Sequence, residues 1–560
     1  MATRKRSPLD AIQLLTSVGR ALSAEKSPSR LMELILRAAK DLTGADGGTL
    51  YSRGGDPRAG EDHLKFEILL TDSLGLRLGG AGGGPIDYPP LPLYGPDGEP
   101  NKGMVAARAA LGGMTVNIRD AYDAPGFDFS GTREFDRKTG YRSKSFLTVP
   151  MKNHEDEVIG VLQLINARDG AGEVGSFTLE DQRLVESLAS QAAITLTKER
   201  LIDEHRRLFE AFAELIAAAI DDKSPFTGSH CRRVPELTMM LADAADASRR
   251  GPLAGFRMSP EDRYELRIAS WLHDCGKVAT PEWIIDKATK LTAIHDRLET
   301  IDARFAVLRQ QARAERLRAE LAARERGERV DREVLDECLR QTLAELDDER
   351  RFLSECNLGG EYMSRQRQER VREIGRRRWT DASGVERPLL TGDEIYNLNI
   401  SRGTLNPEER AEIRKHIDTT IKMLESLPYP KSLMRVPEFA GGHHERMDGK
   451  GYPRGLTREQ MSIQARMMGI ADVFEALTAR DRPYKRAMPL SQALAILGRM
   501  KEESHIDPDL FDVFIREKVY LRYAEQYLDP QQIDDVDLSR IPGAPADALE
   551  EERVPLKKAG

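Results

Sequence analysis

The sequence predicts a multidomain protein: an α+β domain over residues 8–195, a linker helix over 179–222, and an all-α domain over 224–525 interrupted by a helical, coiled-coil-like insertion at about 291–399. Three observations predict it. An amphipathic helix and β-rich runs share the first 195 residues. A heptad of apolar residues then continues without Gly or Pro, and beyond it apolar helical stretches carry His and Asp.

A chain of 560 residues has room for two or more domains, each with its own core. With 40% hydrophobic and 31% charged residues and a net charge of −8, a nucleic-acid partner held by bulk positive charge is not expected. The four cysteines, Cys231, Cys275, Cys338 and Cys356, form no CxxC pair, which excludes a disulfide framework and fits a cytoplasmic location. The start, MATRKRSPLD, lacks the apolar stretch of a signal peptide, and no run of eighteen apolar residues occurs, so no membrane partner is expected.

In the first domain, SRLMELILRAAKDLTGADGGTLYSR reads as a helix with Leu31, Leu34, Ile35 and Ala38 on one face, turning through Gly44, Gly47 and Gly48 into a strand. HLKFEILLTDSLG is a second strand, the Gly- and Pro-rich stretch 79–101 is loop, and SFLTVPMKNHEDEVIGVLQLINAR is a hairpin. The domain resembles a GAF domain, and most nearly those of cyclic-nucleotide phosphodiesterases, through NIRDAYDAPGFDFSGTREFDRKTGYRSKSFLTVPM and then Asn166, Phe177 and Asp181. Ala167 stands where that family has a Lys that pairs with the Asp, leaving Arg168 as the nearby cation. The resemblance implies a small ligand of unknown identity, or a dimerisation scaffold with an empty pocket. With no Cys before 231, a bilin thioether is excluded.

In the linker helix, Ile194, Leu201, Leu208 and Leu215 recur every seven residues, with Phe212 and Ala219 in a neighbouring register. That seam predicts a parallel coiled coil between two chains, hence a homodimer; the alternative is a helix packed on its own domain.

The third domain holds the chemistry. His230 follows a Pro and Gly turn, His273 and Asp274 end an apolar helix in HDCGK, His416 lies inside a helix begun by Asn406 and Pro407, His443 and His444 open the glycine loop HHERMDGKGYP, and Asp472 sits on an apolar helix. Burying so many imidazoles and carboxylates is unfavourable unless they hold something. Together they are the ligand types of a dinuclear phosphohydrolase.

The order H…HDCGK…H…HHERMDGKGYP…ADVFEALTARDRPYK resembles the HD-GYP family of the HD superfamily, metal phosphohydrolases that degrade cyclic di-GMP. The resemblance implies an all-α fold and metal ligands at His230, His273, Asp274, His416, His443, His444 and Asp472, with Asp274 bridging two divalent cations. Iron or manganese suits this set, and zinc is also compatible. Members with a third metal place a Glu where this chain has Phe226. Lys277 matches a Lys that contacts the phosphate and assists the departing oxygen, so Asp274 and Lys277 are the expected catalytic residues. Gly449, Gly451 and Tyr452 form the motif loop, where the glycines would permit close approach and the Tyr ring would flank a guanine, and Arg482 and Lys485 match basic contacts to the dinucleotide. The activity implied is hydrolysis of cyclic di-GMP to the linear dinucleotide or GMP. A non-catalytic cyclic-dinucleotide receptor, or a hydrolase of another cyclic dinucleotide, are the alternatives.

One departure is large: 142 positions separate Asp274 from His416. Within that span Leu291, Ile294, Leu298, Ile301, Phe305 and Leu308 follow coiled-coil spacing, and the Arg-, Glu- and Ala-rich run that follows suggests a solvated hairpin turning near Gly327. RQRQERVREIGRRRW is basic and reads as a solvated face. The acidic tail 531–560 is expected to be disordered.

Overall fold

The computed structural model describes residues 16–21, 24–25, 27–55, 61–169, 172–223, 229–329, 331–360, 362–479 and 488–548. Two compact units divide the chain, Met1–Leu208 and Phe209–Gly560.

In the first unit, α1 (Pro28–Thr43) ends at Gly44, whose positive φ of 68° turns the chain directly into β1 (Ala45–Gly54). Then follow β2 (His63–Thr71), β3 (Leu76–Gly79), β4 (Leu91–Pro92), α2 (Val105–Gly112), β5 (Val116–Ile118), α3 (Ser130–Thr139), β6 (Phe146–Lys152), β7 (Val158–Arg168) and β8 (Val174–Gly175). The sheet runs β3-β2-β1-β7-β6-β5, and its ladders are antiparallel. The predicted hairpin is β6 and β7, joined at Asn153–Glu157, where the Asn153 carbonyl group of the side chain accepts from Glu155 N and Glu157 N. Leu31, Ile35 and Leu36 of α1 bury against Leu50, Leu162 and Leu164. Gly48 permits that approach, since a Cβ there would lie 2.7 Å from Leu36 Cδ1.

Arg168 does not take the place of the absent Lys. It pairs with Asp46 at 2.7 Å, whereas Asp181 accepts from Thr178 N and Oγ1, both at 2.8 Å, and so caps the following helix. Asn166, at φ 58°, is a structural pin: its side chain accepts from Lys144 N and donates to Arg142 O, each at 2.7 Å.

The linker is α4, one helix from Leu179 to Lys223. Ile194, Leu201, Leu208, Phe212, Leu215 and Ala219 are exposed, while Ala213, Ala217 and Ile220 face the core of the second unit. The opposite faces of this stretch therefore separate an outward apolar seam from an inward packing stripe.

The second unit is helical: α5 (His230–Ala247), α6 (Pro260–Leu272), α7 (Glu282–Ile285), then the insertion with α8 (Leu298–Glu325), α9 (Arg332–Asn357), α10 (Arg365–Gly375), a small hairpin of β9 (Arg378–Thr380) and β10 (Glu386–Pro388), and α11 (Gly392–Leu398). The main body resumes with α12 (Pro407–Glu425), α13 (Val436–Gly441), α14 (Ile463–Thr478), α15 (Leu490–Glu502), α16 (Pro508–Arg516) and α17 (Val519–Tyr527). Its core joins Leu241, Phe439, Met467, Phe474, Phe511, Phe514 and Tyr523.

The insertion corrects the expectation of a bare hairpin. The α8–α9 turn does fall at Gly327, with φ 71°, but Leu291, Phe305, Leu346, Leu353, Val371, Leu390 and Leu398 form a separate core. Ile294, placed by spacing in the apolar seam, precedes α8 and is 99% exposed. The basic run is neutralised locally, Arg370 pairing with Asp348 and Arg377 with Glu349. The ends of the insertion meet: buried Lys290 donates through Nζ to Leu398 O (3.0 Å) and Ile400 O (2.9 Å).

The acidic tail is also corrected as far as residue 548. Gln532 is buried and donates to Thr478 O (3.0 Å) and Met488 O (3.1 Å), and Leu538 and Ile541 join the main core. Residues 549–560 of that expected tail lie outside the described residues. Among the described residues, no helix is long and apolar enough to cross a membrane.

Candidate metal centre

Five segments bring the predicted ligands together. His230 is the first residue of α5, His273 caps the C-terminus of α6 and Asp274 follows it, His416 is buried within α12, His443 and His444 follow α13, and Asp472 lies on α14. The helix starts are encoded locally. Ser259 and Asp262 make a capping box for α6, and Asn406 and Glu409 make one for α12, with Pro in the first turn of each.

Asp274 is the hub. One carboxylate oxygen, Oδ1, lies 3.2 Å from His416 Nε2; the other, Oδ2, lies 3.5 Å from His230 Nε2, 3.3 Å from His273 Nε2 and 2.5 Å from Lys277 Nζ. His230 Nε2 is also 3.2 Å from Asp472 Oδ1, and His444 Nδ1 is 4.0 Å from Asp472 Oδ2. One potential ligand atom from each residue lies within 4.8 Å of the others in three groups: His416, His443 and His444; His230, His273 and Asp472; His273, Asp274 and His443.

A common device aims three of the imidazoles. Nδ1 of His273, His416 and His443 each faces the backbone carbonyl three residues earlier, Ser270, Ile413 and Ala440. A proton on each Nδ1 leaves the Nε2 lone pair pointing inward. Among the described residues, those three Nε2 atoms and Asp274 Oδ1 are buried without a hydrogen-bond partner. Orphaned lone pairs converging on one carboxylate fit divalent cations, and the donor set of imidazoles and carboxylates suits iron, manganese or zinc.

The electrostatics agree. Burial opposes the charge on Asp274, yet Lys277 and the surrounding imidazoles hold its carboxyl well below the usual range. Burial likewise opposes ionisation of Asp472, but His230, His444 and His443 keep it strongly lowered. Burial lowers His443 well below the ordinary imidazole value and brings His444 down to about 4, so both rings are neutral donors. His230 is the exception: burial disfavours its charge, but the carboxylates of Glu475, Asp274 and Asp472 raise it well above the usual value.

Glu475 went unpredicted. It is buried, accepts from Arg233 Nε at 2.6 Å and pairs with His230 Nδ1, taking the orienting role that a backbone carbonyl plays for the other three rings. Its only sequence signal is an acid three residues after Asp472, on the same face of α14.

Gly276 lets the HDCGK turn lie against α12, because a Cβ there would be 2.0 Å from His416 O, and Gly276 N donates to Thr420 Oγ1 at 2.9 Å. In the glycine loop, Gly449 adopts φ 74° and a Cβ on Gly451 would be 2.4 Å from Glu445 Cα. Buried Glu445 fixes the loop by accepting from Arg454 N (2.7 Å) and Leu456 N (2.9 Å). The Tyr452 ring stacks on His444 at 4.8 Å, and the Arg414 guanidinium lies 5.0 Å from its centre. Phe226, Arg482 and Lys485 lie outside the described residues.

Comparison with known proteins gives the class. Residues 27–196 match the GAF domain family, and residues 227–357 and 390–510 each match HD domain families. The chain therefore carries a GAF domain followed by an HD domain. A 3'3'-cGAMP-specific phosphodiesterase of Vibrio cholerae is 42% identical over 111 residues, 20% of this chain and 23% of that protein. A second of that name and organism is 39% identical over 128 residues (23% and 28%), and a cyclic di-GMP phosphodiesterase of Pseudomonas aeruginosa is 38% identical over 129 residues (23% and 29%). The chain thus spans under a third of the length of these relatives.

Proposed function

We propose that this chain is a metal-dependent phosphodiesterase that hydrolyses a cyclic dinucleotide. The observation that carries the reading is the convergence of the orphaned Nε2 atoms of His273, His416 and His443 on Asp274, with Lys277 beside it. His230, His273, Asp274, His416, His443, His444 and Asp472 would hold two divalent cations. Such a pair, when bound, supplies a water-derived nucleophile at neutral pH and neutralises phosphate charge.

The chain's own groups then have defined tasks. Asp274 and Asp472 hold negative charge in a buried site, and the His rings, fixed by their Nδ1 contacts, present lone pairs without rearrangement. Lys277, held charged by Asp274, is placed to stabilise or protonate the departing 3′ oxygen. Gly449 and Gly451 would permit close approach of the dinucleotide, the Tyr452 ring would flank a base, and Arg482 and Lys485 would contribute further contacts. A site built only for reception would have no need of Lys277 against a buried carboxylate, which favours the enzyme over the receptor.

Cyclic di-GMP is the proposed substrate, on the resemblance of the motif set. A second reading, hydrolysis of 3'3'-cGAMP, is favoured by the names of two of the relatives above. We further propose that the GAF domain regulates hydrolysis in response to a small ligand, and that the exposed seam of α4 joins two chains as a parallel homodimer. Manganese- or iron-reconstituted protein, incubated with cyclic di-GMP and with 3'3'-cGAMP and followed by product analysis, tests the reading. Release of linear dinucleotide or mononucleotide supports it; tight binding without cleavage of either would establish the receptor instead.

A further inference from the structure

The last turn of the linker helix is tied to the turn that bears Lys277. Lys223, the final residue of α4, donates through Nζ to three backbone carbonyls: Lys277 O at 3.1 Å, Val278 O at 2.6 Å and Thr280 O at 2.7 Å. These acceptors lie at the C-terminal end of the 3₁₀ turn Cys275–Ala279. Such an end carries partial negative charge, Lys277 O also accepting from Thr280 N at 3.1 Å, and an ammonium has three donors. Lys223 therefore matches the turn in number and in sign.

The opposite end of the same turn is the metal centre. Lys277 N donates to Asp274 O at 2.9 Å, and Lys277 Nζ reaches Asp274 Oδ2. Gly276 N fixes the middle to Thr420 of α12. Two residues before Lys223, buried Asp221 accepts through Oδ1 from Cys231 N at 3.1 Å, next to His230. One turn of α4 thus engages both the HDCGK segment and the start of α5.

We propose that Lys223 is a positioning residue that sets the place of Lys277, and that it is the point at which a displacement of the linker helix reaches the metal centre. A shift of the helix end moves the ammonium, which loosens the three carbonyls and with them the backbone between Asp274 and Thr280. The catalytic part of this inference rests on the phosphodiesterase reading; the clamp itself does not.

The test uses the full chain loaded with manganese and compares Lys223→Met, which keeps the apolar stem, with Lys223→Arg, which keeps the charge. Lys223→Met should speed amide exchange in the segment 275–280 about tenfold, the scale of a lost charge-assisted hydrogen bond. It should also lower kcat about tenfold with KM and metal content near parental values, and Lys223→Arg should recover most of kcat. Unchanged exchange in 275–280 overturns the proposal. So does faster exchange with unaltered kcat, or a loss of activity that only follows global unfolding. If the parent cleaves no cyclic dinucleotide, the function proposed above falls, and the exchange rates still decide the clamp.

Discussion

His230 and Glu475 meet through Nδ1 and a buried carboxylate oxygen, and this contact leaves His230 Nε2 between Asp274 and Asp472. Glu475→Gln retains the shape of the side chain but removes its charge, which weakens the orientation of a ligand ring. Metal affinity should fall about 10–100-fold, the range expected when an outer partner of a ligating His is altered. Metal titration of the folded variant checks this; an unchanged affinity would reduce Glu475 to a partner of Arg233.

Asp274→Ala removes the carboxylate that faces the Nε2 atoms of His230, His273 and His416 and the ammonium of Lys277. Hydrolysis should be abolished and metal content lowered, with the separate core of the GAF domain intact by thermal unfolding. Activity retained in this variant would sink the dinuclear assignment. Lys277→Ala should instead keep its metal and lose turnover, as expected of a group that acts on developing charge.

The cluster around Asp274 was legible because His-Asp, His-His and the glycine loop are local signals, and the structure brings these residues together. Glu475 was not: an acid three residues after Asp472 gains meaning only when Arg233 and His230, some 240 residues away, fold against it. The β6–β7 hairpin was legible from alternation and the α12 start from Asn406 and Pro407, whereas the Ser259–Asp262 capping box that starts α6 was not read. The insertion's core was not, since Leu291 and Phe305 meet Leu390 and Leu398 only after the chain returns. The tail misled for the same reason. Its acidic composition hides Gln532, whose burial depends on carbonyls of Thr478 and Met488.

The base of the insertion depends on Lys290. Lys290→Met leaves the Leu398 and Ile400 carbonyls without their donor in a buried place, at a cost of about 1–3 kcal/mol. Chemical denaturation should register that loss. Replacing residues 313–343, the outer hairpin, by a short loop should spare both stability of the base and metal binding, because the retained ends still carry the Lys290 contacts. Loss of metal from the folded truncated protein would show that the outer hairpin braces the site.

Asp46 gives the GAF domain an acid dependence. Burial pushes its carboxyl up, but Ser73, Tyr141 and Arg168 together hold it below the usual 3.8. A lowered folded value means that its contribution is fully present above the unfolded value of 3.8 and is lost as pH falls through the folded one. Asp46→Asn should therefore be less stable than the parent at neutral pH, the gap closing below about pH 4. Thermal unfolding between about pH 3 and pH 7 reads this; a gap that stays constant with pH would assign the loss to packing alone.

The exposed seam of α4 carries the last prediction. Ile194, Leu201, Leu208 and Leu215 recur at seven-residue intervals on one continuous helix, and each is exposed while Ala213, Ala217 and Ile220 are buried against the second unit's core. An apolar heptad left outward would be satisfied by a second copy in parallel register, which would place each residue against its own equivalent. Glu at both Leu201 and Leu208 would then set like charges together and should yield monomers with an altered hydrolysis rate. Sedimentation decides the assembly: a parent protein that is already monomeric overturns the seam. A monomeric double variant with an unchanged rate would make the helix a tether, and control of the metal centre would then have to enter by a route other than dimer packing.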